Sequence, residues 1–193
     1  MISRIRFADA SAVFETFPRL EQYSTKPLGA AAPLDHARDL AASPRPATAL
    51  AFLAHLLPRR EAVWWGCQCV STVLGEAARD EGLRLANLWV RDPDETVRRA
   101  ALDYAQAKGL RTPTSWLARA VGHSGGSILA PDQPPSPPDR DACALSVNAA
   151  IVVAATLQPP LAILPWMRAC AEAGVRFAAG DDMRVNKPAL GSA

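Results

Sequence analysis

The stretch HSGGS, at residues 123–127, combines residue types that serve a nucleophilic hydrolase: an imidazole, two hydroxyls and two glycines. A serine becomes a nucleophile when a histidine within hydrogen-bond reach takes its proton. Ser124 or Ser127 could fill that role, with His123 or His55 as the base. However, the G-x-S-x-G motif of such enzymes is absent, and adjacency in sequence does not by itself create the geometry. A hydrolase that uses this loop is therefore kept as an alternative.

The sequence gives less support to a phosphate-binding site or a metal site. Glycines can expose backbone amides to a phosphate, but the stretch matches neither common nucleotide-binding motif and has no lysine nearby. The cysteines at 67 and 69 form C-x-C rather than C-x-x-C, and Cys143 and Cys170 lie far along the chain. They are typical of buried, reduced core thiols. The sequence therefore predicts no catalytic residues, no cofactor and no metal, and the protein is not expected to be an enzyme.

The loop that follows is dominated by proline. Gly125 and Gly126 permit positive φ values and a tight reversal of the chain. Five prolines occur between residues 131 and 138, and they favour a stiff polyproline II segment. Such a segment could lie across the domain as a strap, which we favour, or bind an aromatic groove of a partner.

A tryptophan pair is the second feature that could bind a partner. Trp64 and Trp65 follow Arg59 and Arg60 closely in a helical pattern. In one interpretation, Trp64 lies in the core while Trp65 is partly exposed or packs on a neighbouring helix. In the other, Trp65 anchors a partner, since tryptophan and arginine are enriched at interface hot spots. The predicted partner-binding residues are Arg60, Trp65, Ser124, Gly125, Gly126, Ser127, Pro134 and Pro135.

The elements that must position these residues are expected to be helices. The chain has 49% hydrophobic but only 6% aromatic residues, and alanine is abundant; this composition favours helices over strands. The sequence predicts an all-α fold: an irregular bundle or small α-solenoid of about six to eight helices with a Gly/Pro-rich internal loop. We expect one domain over residues 1–193, with a core at about 9–180 and a flexible tail at 181–193.

Capping residues predict where several helices begin. Asp9, Asp92 and Thr112 each precede a helical pattern and are predicted N-caps, and Pro93 and Pro113 would occupy the first helical position. Helices before and after Pro58 are separated by almost no loop, so they are predicted to pair as an antiparallel αα-hairpin.

Charge and hydropathy limit the classes of partner. A formal net charge of +2 is too small to predict nucleic-acid binding. The longest apolar run, residues 142–157, is interrupted by Ser146 and Asn148 and is shorter than the roughly 20 residues of a membrane span. Residues 1–14 contain no apolar segment typical of a signal peptide. We therefore expect a cytoplasmic protein without membrane insertion.

Three segments together resemble a known family. LPRREAVWWGCQCV, GHSGGSILAPDQPPSPP and AGVRFAAG, spread over residues 56–180, are similar to an uncharacterised all-helical bacterial family linked by gene context to type VI secretion accessory proteins. The PPLAILPW segment departs from the charged linker usual in that family. The resemblance implies a cytoplasmic accessory that loads effectors, and it implies no catalytic residues.

We therefore expect a non-catalytic interaction protein, an adaptor or chaperone accessory to type VI secretion effector loading. Its expected partner is another protein, a secretion effector or a spike component. Besides the hydrolase, an immunity or cargo-binding protein is the remaining alternative.

Overall fold

The computed structural model describes residues 4–75 and 79–186, and within these ranges the secondary structure is helical. It contains no strand there, so the all-α prediction is confirmed, with nine α-helices in a packed bundle where the sequence predicted about six to eight. The helices are α1 (Ala10–Thr16), α2 (Pro33–Ala42), α3 (Pro46–Leu56), α4 (Arg59–Leu74), α5 (Glu81–Arg91), α6 (Glu95–Lys108), α7 (Pro113–Gly122), α8 (Ala142–Ala155) and α9 (Ile163–Ala179). A 3₁₀ turn at Pro18–Gln22 lies between α1 and α2, and another at Pro160–Ala162 directly precedes α9.

Local capping explains several helix starts. The Asp9 carboxylate accepts a hydrogen bond from the Ala12 amide at 2.9 Å, as predicted. Thr112 forms a capping box with Ser115, and Pro113 lies in the first turn of α7. Each bond satisfies an amide that has no partner inside the helix. These three features needed only local sequence.

The predicted N-cap at Asp92 is wrong by two residues. Asp92 ends α5, where its amide donates to the Leu88 carbonyl at 3.0 Å. The N-cap of α6 is Asp94, whose carboxylate accepts from the Val97 amide at 3.0 Å. Pro93 disfavours a helical backbone at the residue before it, so Asp92 and Pro93 form the turn between α5 and α6.

Two apolar helices occupy the centre of the bundle. In α3, residues 49–56 are all buried, and α8 is likewise apolar on nearly all faces. A helix without a polar face is stable in water only when neighbours surround it. The α3 helix packs on α2, α8 and α9, while α8 packs on α3, α4 and α7.

The predicted αα-hairpin of α3 and α4 does not form. The two helices have few contacts with each other, although only Leu57 and Pro58 separate them. Because every face of α3 is apolar, its sequence pattern does not favour α4 as a partner. It packs instead on α2, the preceding helix, and on α8 and α9, which come much later in the chain.

The predicted tail divides into two parts. Residues 181–186 continue without helix, and Met183 and Val185 pack against the core. The Arg176 guanidinium donates to the Arg184 carbonyl at 2.6 Å. Residues 187–193 lie outside the described residues, so the structure places only the first part of the tail.

Candidate functional site

The Gly/Pro-rich loop joins α7 to α8, and arginines from three other elements hold it. Arg59 of α4 donates to the Ser124 carbonyl at 2.7 Å. Arg99 of α6 donates to the Leu129 carbonyl. At the far end, Arg19 of the first 3₁₀ turn contacts Asp141 with two guanidinium nitrogens, at 2.7 and 2.8 Å. The loop is therefore attached to the bundle at both ends.

Arg98 is the central attachment. Its side chain is 4% exposed, and it donates to the Gly122 carbonyl at 2.5 Å and the Ser127 carbonyl at 3.0 Å. Two further hydrogen bonds, both 2.6 Å long, join it to Glu95. These bonds are the main reason that the pKa of Glu95 falls from 4.5 to about 2, and Arg99 lowers it further. The loop thus rests on a buried, charge-paired guanidinium.

Ser127 uses its hydroxyl inside the loop. Its Oγ accepts hydrogen bonds from the Leu129 and Ser136 amides, both at 3.1 Å. The Ile128 amide donates to the Ser136 carbonyl at 2.8 Å, which closes the loop on itself. Pro134 and Pro135 remain exposed. Ser127 therefore organises the turn, while the two prolines face solvent.

The two glycines of the loop differ in backbone conformation and in the space that a Cβ would have. Gly126 has φ of +63°, and a Cβ there would lie 2.9 Å from Nη2 of Arg98. At Gly125, φ is not positive, and a Cβ would meet nothing within 4 Å. We expect Gly126→Ala to lower the free energy of unfolding by about 1–2 kcal/mol, because alanine is strained at positive φ. Urea unfolding followed by circular dichroism measures this loss.

Gly125→Ala is the matched control, and we expect it to change stability by less than about 0.5 kcal/mol. Equal losses in the two variants would contradict the assigned backbone conformation of the loop.

The prediction that Trp65 is a surface contact is wrong. Trp65 is 0% exposed, and its indole Nε1 donates to the Cys170 carbonyl of α9 at 3.0 Å. Trp64 is the partly exposed member of the pair, so the other interpretation is wrong about Trp64, but Trp65 does pack on a neighbouring helix, α9. On α4, Trp64 lies four residues from both Arg60 and Gln68, so it shares a mixed polar face. That spacing was the signal in the sequence that could have assigned the two tryptophans correctly.

Trp64 lines the largest depression described here, which we call the α4–α5 groove. Its volume is about 710 Å³. Its lining includes Arg4, Arg60, Trp64, Val90, Arg91 and Phe177. Of these, sequence reasoning identified Arg60 and missed Arg4, Trp64 and Arg91, because the groove joins α4, α5, α9 and the residues before α1.

Arginines in the groove are held by helix carboxyl ends. Arg60 donates to the Val90 carbonyl at 2.6 Å and the Arg91 carbonyl at 3.0 Å, at the end of α5. Arg4 donates to the Phe177 carbonyl at 2.6 Å near the end of α9, with its guanidinium carbon 4.2 Å from the centre of the Phe177 ring. Both contacts are favourable because helix carboxyl ends carry partial negative charge.

The loop and the groove lie close to one another. A second depression, about 620 Å³ in volume, shares Arg60 and Glu61 with the groove and also includes Arg59. Arg59 is the residue that holds the Ser124 carbonyl. The structure thus brings Arg60 and Ser124 to one region of the surface and places Trp65 in the core beneath it.

Burial lowers the basicity of the histidines and the acidity of the thiols. Desolvation lowers the pKa of His55, and it lowers the pKa of His123 to about 4 with help from nearby Arg119 and Arg98. Burial raises the pKa of Cys67 and Cys143 to about 12. All four cysteines are free and buried, as predicted. Both histidines are neutral and these two thiols are protonated at neutral pH.

The described residues form neither a cluster of metal ligands nor a helix that could span a membrane. Within residues 4–75 and 79–186, no three histidine, cysteine or acidic side chains are grouped as metal ligands. Over the same residues, no helix is both long enough and apolar enough to cross a bilayer.

Comparison with known proteins yields one match. A family model described as a family of unknown function (DUF6931) matches residues 36–178, well over half of the 193-residue chain. No curated protein and no solved structure matches the chain significantly. The description of the family names no secretion system, so the link to type VI secretion stays a prediction.

Proposed function

We propose that this protein, which belongs to the DUF6931 family, is a non-catalytic interaction protein that binds an acidic segment of another protein in the α4–α5 groove. The observation that carries the proposal is the set of residues in the groove: three arginines beside a half-buried tryptophan. Arginine and tryptophan are the residue types most enriched where interfaces gain their binding energy.

Charge supports an acidic occupant. The groove contains Arg4, Arg60 and Arg91 against a single carboxylate, Glu61. None of the three arginines forms an ion pair with a carboxylate in the described part of the chain. The helix-end carbonyls already hold Arg4 and Arg60 in position, so binding would cost them little side-chain entropy. Aspartate or glutamate side chains could accept their remaining N–H groups.

Apolar surface supports an anchor side chain on the same segment. Trp64, Val90 and Phe177 line the groove together with the arginines. Burying a partner's apolar side chain against the Trp64 ring would remove both surfaces from water. An acidic segment with one apolar residue therefore fits the chemistry of the groove best.

The resemblance found in the sequence suggests which proteins carry that segment. Because the resemblance implies a link to type VI secretion, we propose that this protein is a cytoplasmic adaptor or chaperone. It would load a type VI secretion effector onto a spike component. The two alternatives stay predictions. An activity assay would test the hydrolase alternative, and a toxin-inhibition assay would test the immunity alternative.

The test uses the full chain as bait in its host, with captured proteins identified by mass spectrometry. We expect a type VI effector or spike protein to be recovered by the wild type, and recovery to fall at least about tenfold for Trp64→Ala and Arg60→Gln. With the purified partner, affinity should decrease as salt rises, because the contact is between opposite charges.

Two variants serve as matched controls. Trp116 is also partly buried against the core but lies outside the groove, and Arg45 is an exposed arginine elsewhere. Trp116→Ala and Arg45→Gln should capture the partner as the wild type does. Equal recovery by the groove variants, or recovery of no effector or spike protein, would contradict the proposal.

A further inference from the structure

A third cavity, between α6 and α7, is lined by a cation that has no counterion among the described residues. This α6–α7 pocket has a volume of about 300 Å³, and Leu102, Ala105 and Leu110 form its apolar wall. Its polar groups are Gln106 of α6, Arg119 of α7 and His123, the residue that caps α7. Arg119 and His123 lie four residues apart on one helical face, on a different part of the surface from the residues of the α4–α5 groove.

Arg119 is partly buried and incompletely paired. Its Nη1 donates to the Ser146 hydroxyl at 3.0 Å, and its guanidinium carbon lies 5.5 Å from the centre of the Trp116 ring. Within the described ranges, no carboxylate lies within ion-pair distance of it, and its Nε and Nη2 donate to no other residue. Burial lowers its pKa. Proteins normally pair a cation that has lost part of its hydration.

His123 adds an unsatisfied polar atom. Its Nδ1 is buried and has no hydrogen-bond partner among the described residues. The charged groups that act on this imidazole are Arg119, Arg98 and Asp139. Asp139 pairs with Arg19, and Arg98 pairs with Glu95, which leaves Arg119 as the uncompensated charge beside the ring. A buried polar atom without a partner in a native structure needs an explanation, such as strain or a bound water or ion.

We propose that the α6–α7 pocket binds a carboxylate carried on a short apolar stem, with Arg119 as its counterion and His123 beside it. One guanidinium beside a neutral imidazole balances one negative charge, which favours a carboxylate over a phosphate dianion. The apolar wall then covers the stem. The volume is at the lower limit for small-molecule pockets, so it fits a small organic acid or the carboxyl-terminal residue of a peptide.

Calorimetric titration of the full chain with hexanoate tests this site, with hexan-1-ol as the uncharged probe of the same stem. We expect hexanoate to bind and hexan-1-ol to bind at least about tenfold more weakly, since a charge-assisted hydrogen bond is lost. Arg119→Gln should weaken hexanoate binding by a similar factor. Arg111→Gln removes a neighbouring exposed arginine outside the pocket and should leave the affinity unchanged.

A peptide ending in leucine distinguishes the two sources of the carboxylate. Tighter binding of the free-acid peptide than of hexanoate, lost on amidation, would assign the pocket to a carboxyl terminus. Binding of hexanoate alone would assign it to a small acid. Binding of neither, or binding that Arg119→Gln leaves intact, would overturn the proposal.

Nuclear magnetic resonance gives a second measurement that needs no variant. In the free protein, the His123 imidazole should become protonated only near its pKa of about 4. A bound carboxylate would raise that pKa, because a nearby negative charge favours the imidazolium form. Hexanoate binding without such a rise would place the ligand elsewhere and overturn the assignment.

Discussion

Replacing Trp65 with alanine is expected to lower the free energy of unfolding by about 3–5 kcal/mol, the usual cost of removing a large core aromatic. Trp65 is fully buried and donates its indole proton to the Cys170 carbonyl. Gly174 of α9 also packs on the indole: a Cβ at that glycine would lie 3.0 Å from two of its ring atoms. The variant would therefore open a cavity between α4 and α9 and remove the hydrogen bond to the Cys170 carbonyl. Urea unfolding followed by circular dichroism measures the loss.

Two further variants separate the contribution of the hydrogen bond from that of ring burial. Trp65→Phe keeps most of the ring and loses the hydrogen bond, so we expect a loss of about 1–2 kcal/mol. Trp64→Ala should cost less than Trp65→Ala, because Trp64 is only partly buried. If Trp65→Ala kept wild-type stability, the burial described here would be refuted. It also follows that Trp65→Ala is a poor probe of partner binding, since its loss of stability would lower binding without any direct contact between Trp65 and a partner.

Replacing Arg98 with alanine should have the second largest effect, a loss of about 2–4 kcal/mol together with release of the loop. The guanidinium is the only donor that the structure shows for the Gly122 carbonyl in the described residues, and it also holds the Ser127 carbonyl. Each buried acceptor left unpaired costs about 1–3 kcal/mol. Unfolding measurements give the loss of stability, and limited proteolysis should detect new cleavage between residues 124 and 138.

A control for Arg98 is an arginine that pairs with a glutamate at the same spacing on another helix. Arg84 pairs with Glu81 three residues away, as Arg98 does with Glu95, but both side chains are largely exposed. Arg84→Ala should therefore cost less than about 0.5 kcal/mol. Arg98→Lys should restore only part of the stability, because one ammonium cannot reproduce the planar fork of donors. Unchanged protease resistance in Arg98→Ala would show that the loop does not depend on this residue.

Several helix starts, the fold class and the burial of the cysteines could be predicted from the sequence alone. Asp9, Thr112 and Pro113 indicated helix starts correctly, because a cap acts on amides two or three residues away. The abundance of alanine and the low aromatic content predicted an all-α fold, and the lack of a C-x-x-C motif predicted buried thiols. Each of these inferences depends on interactions within a few residues or on composition.

Tertiary structure alone decided the rest. Arg98 and Arg59 meet the loop across 24 and 65 residues of chain, and no local pattern connects an arginine to a carbonyl that far away. The α4–α5 groove exists only where α4, α5, α9 and the chain before α1 converge. Trp64 and Trp65 are adjacent and chemically identical. Their burial differs because α9 packs on the face of α4 that carries Trp65. Composition and caps determine which segments become helices, whereas the choice of neighbours, and with it the surface left for binding, depends on how apolar faces pack across the whole chain.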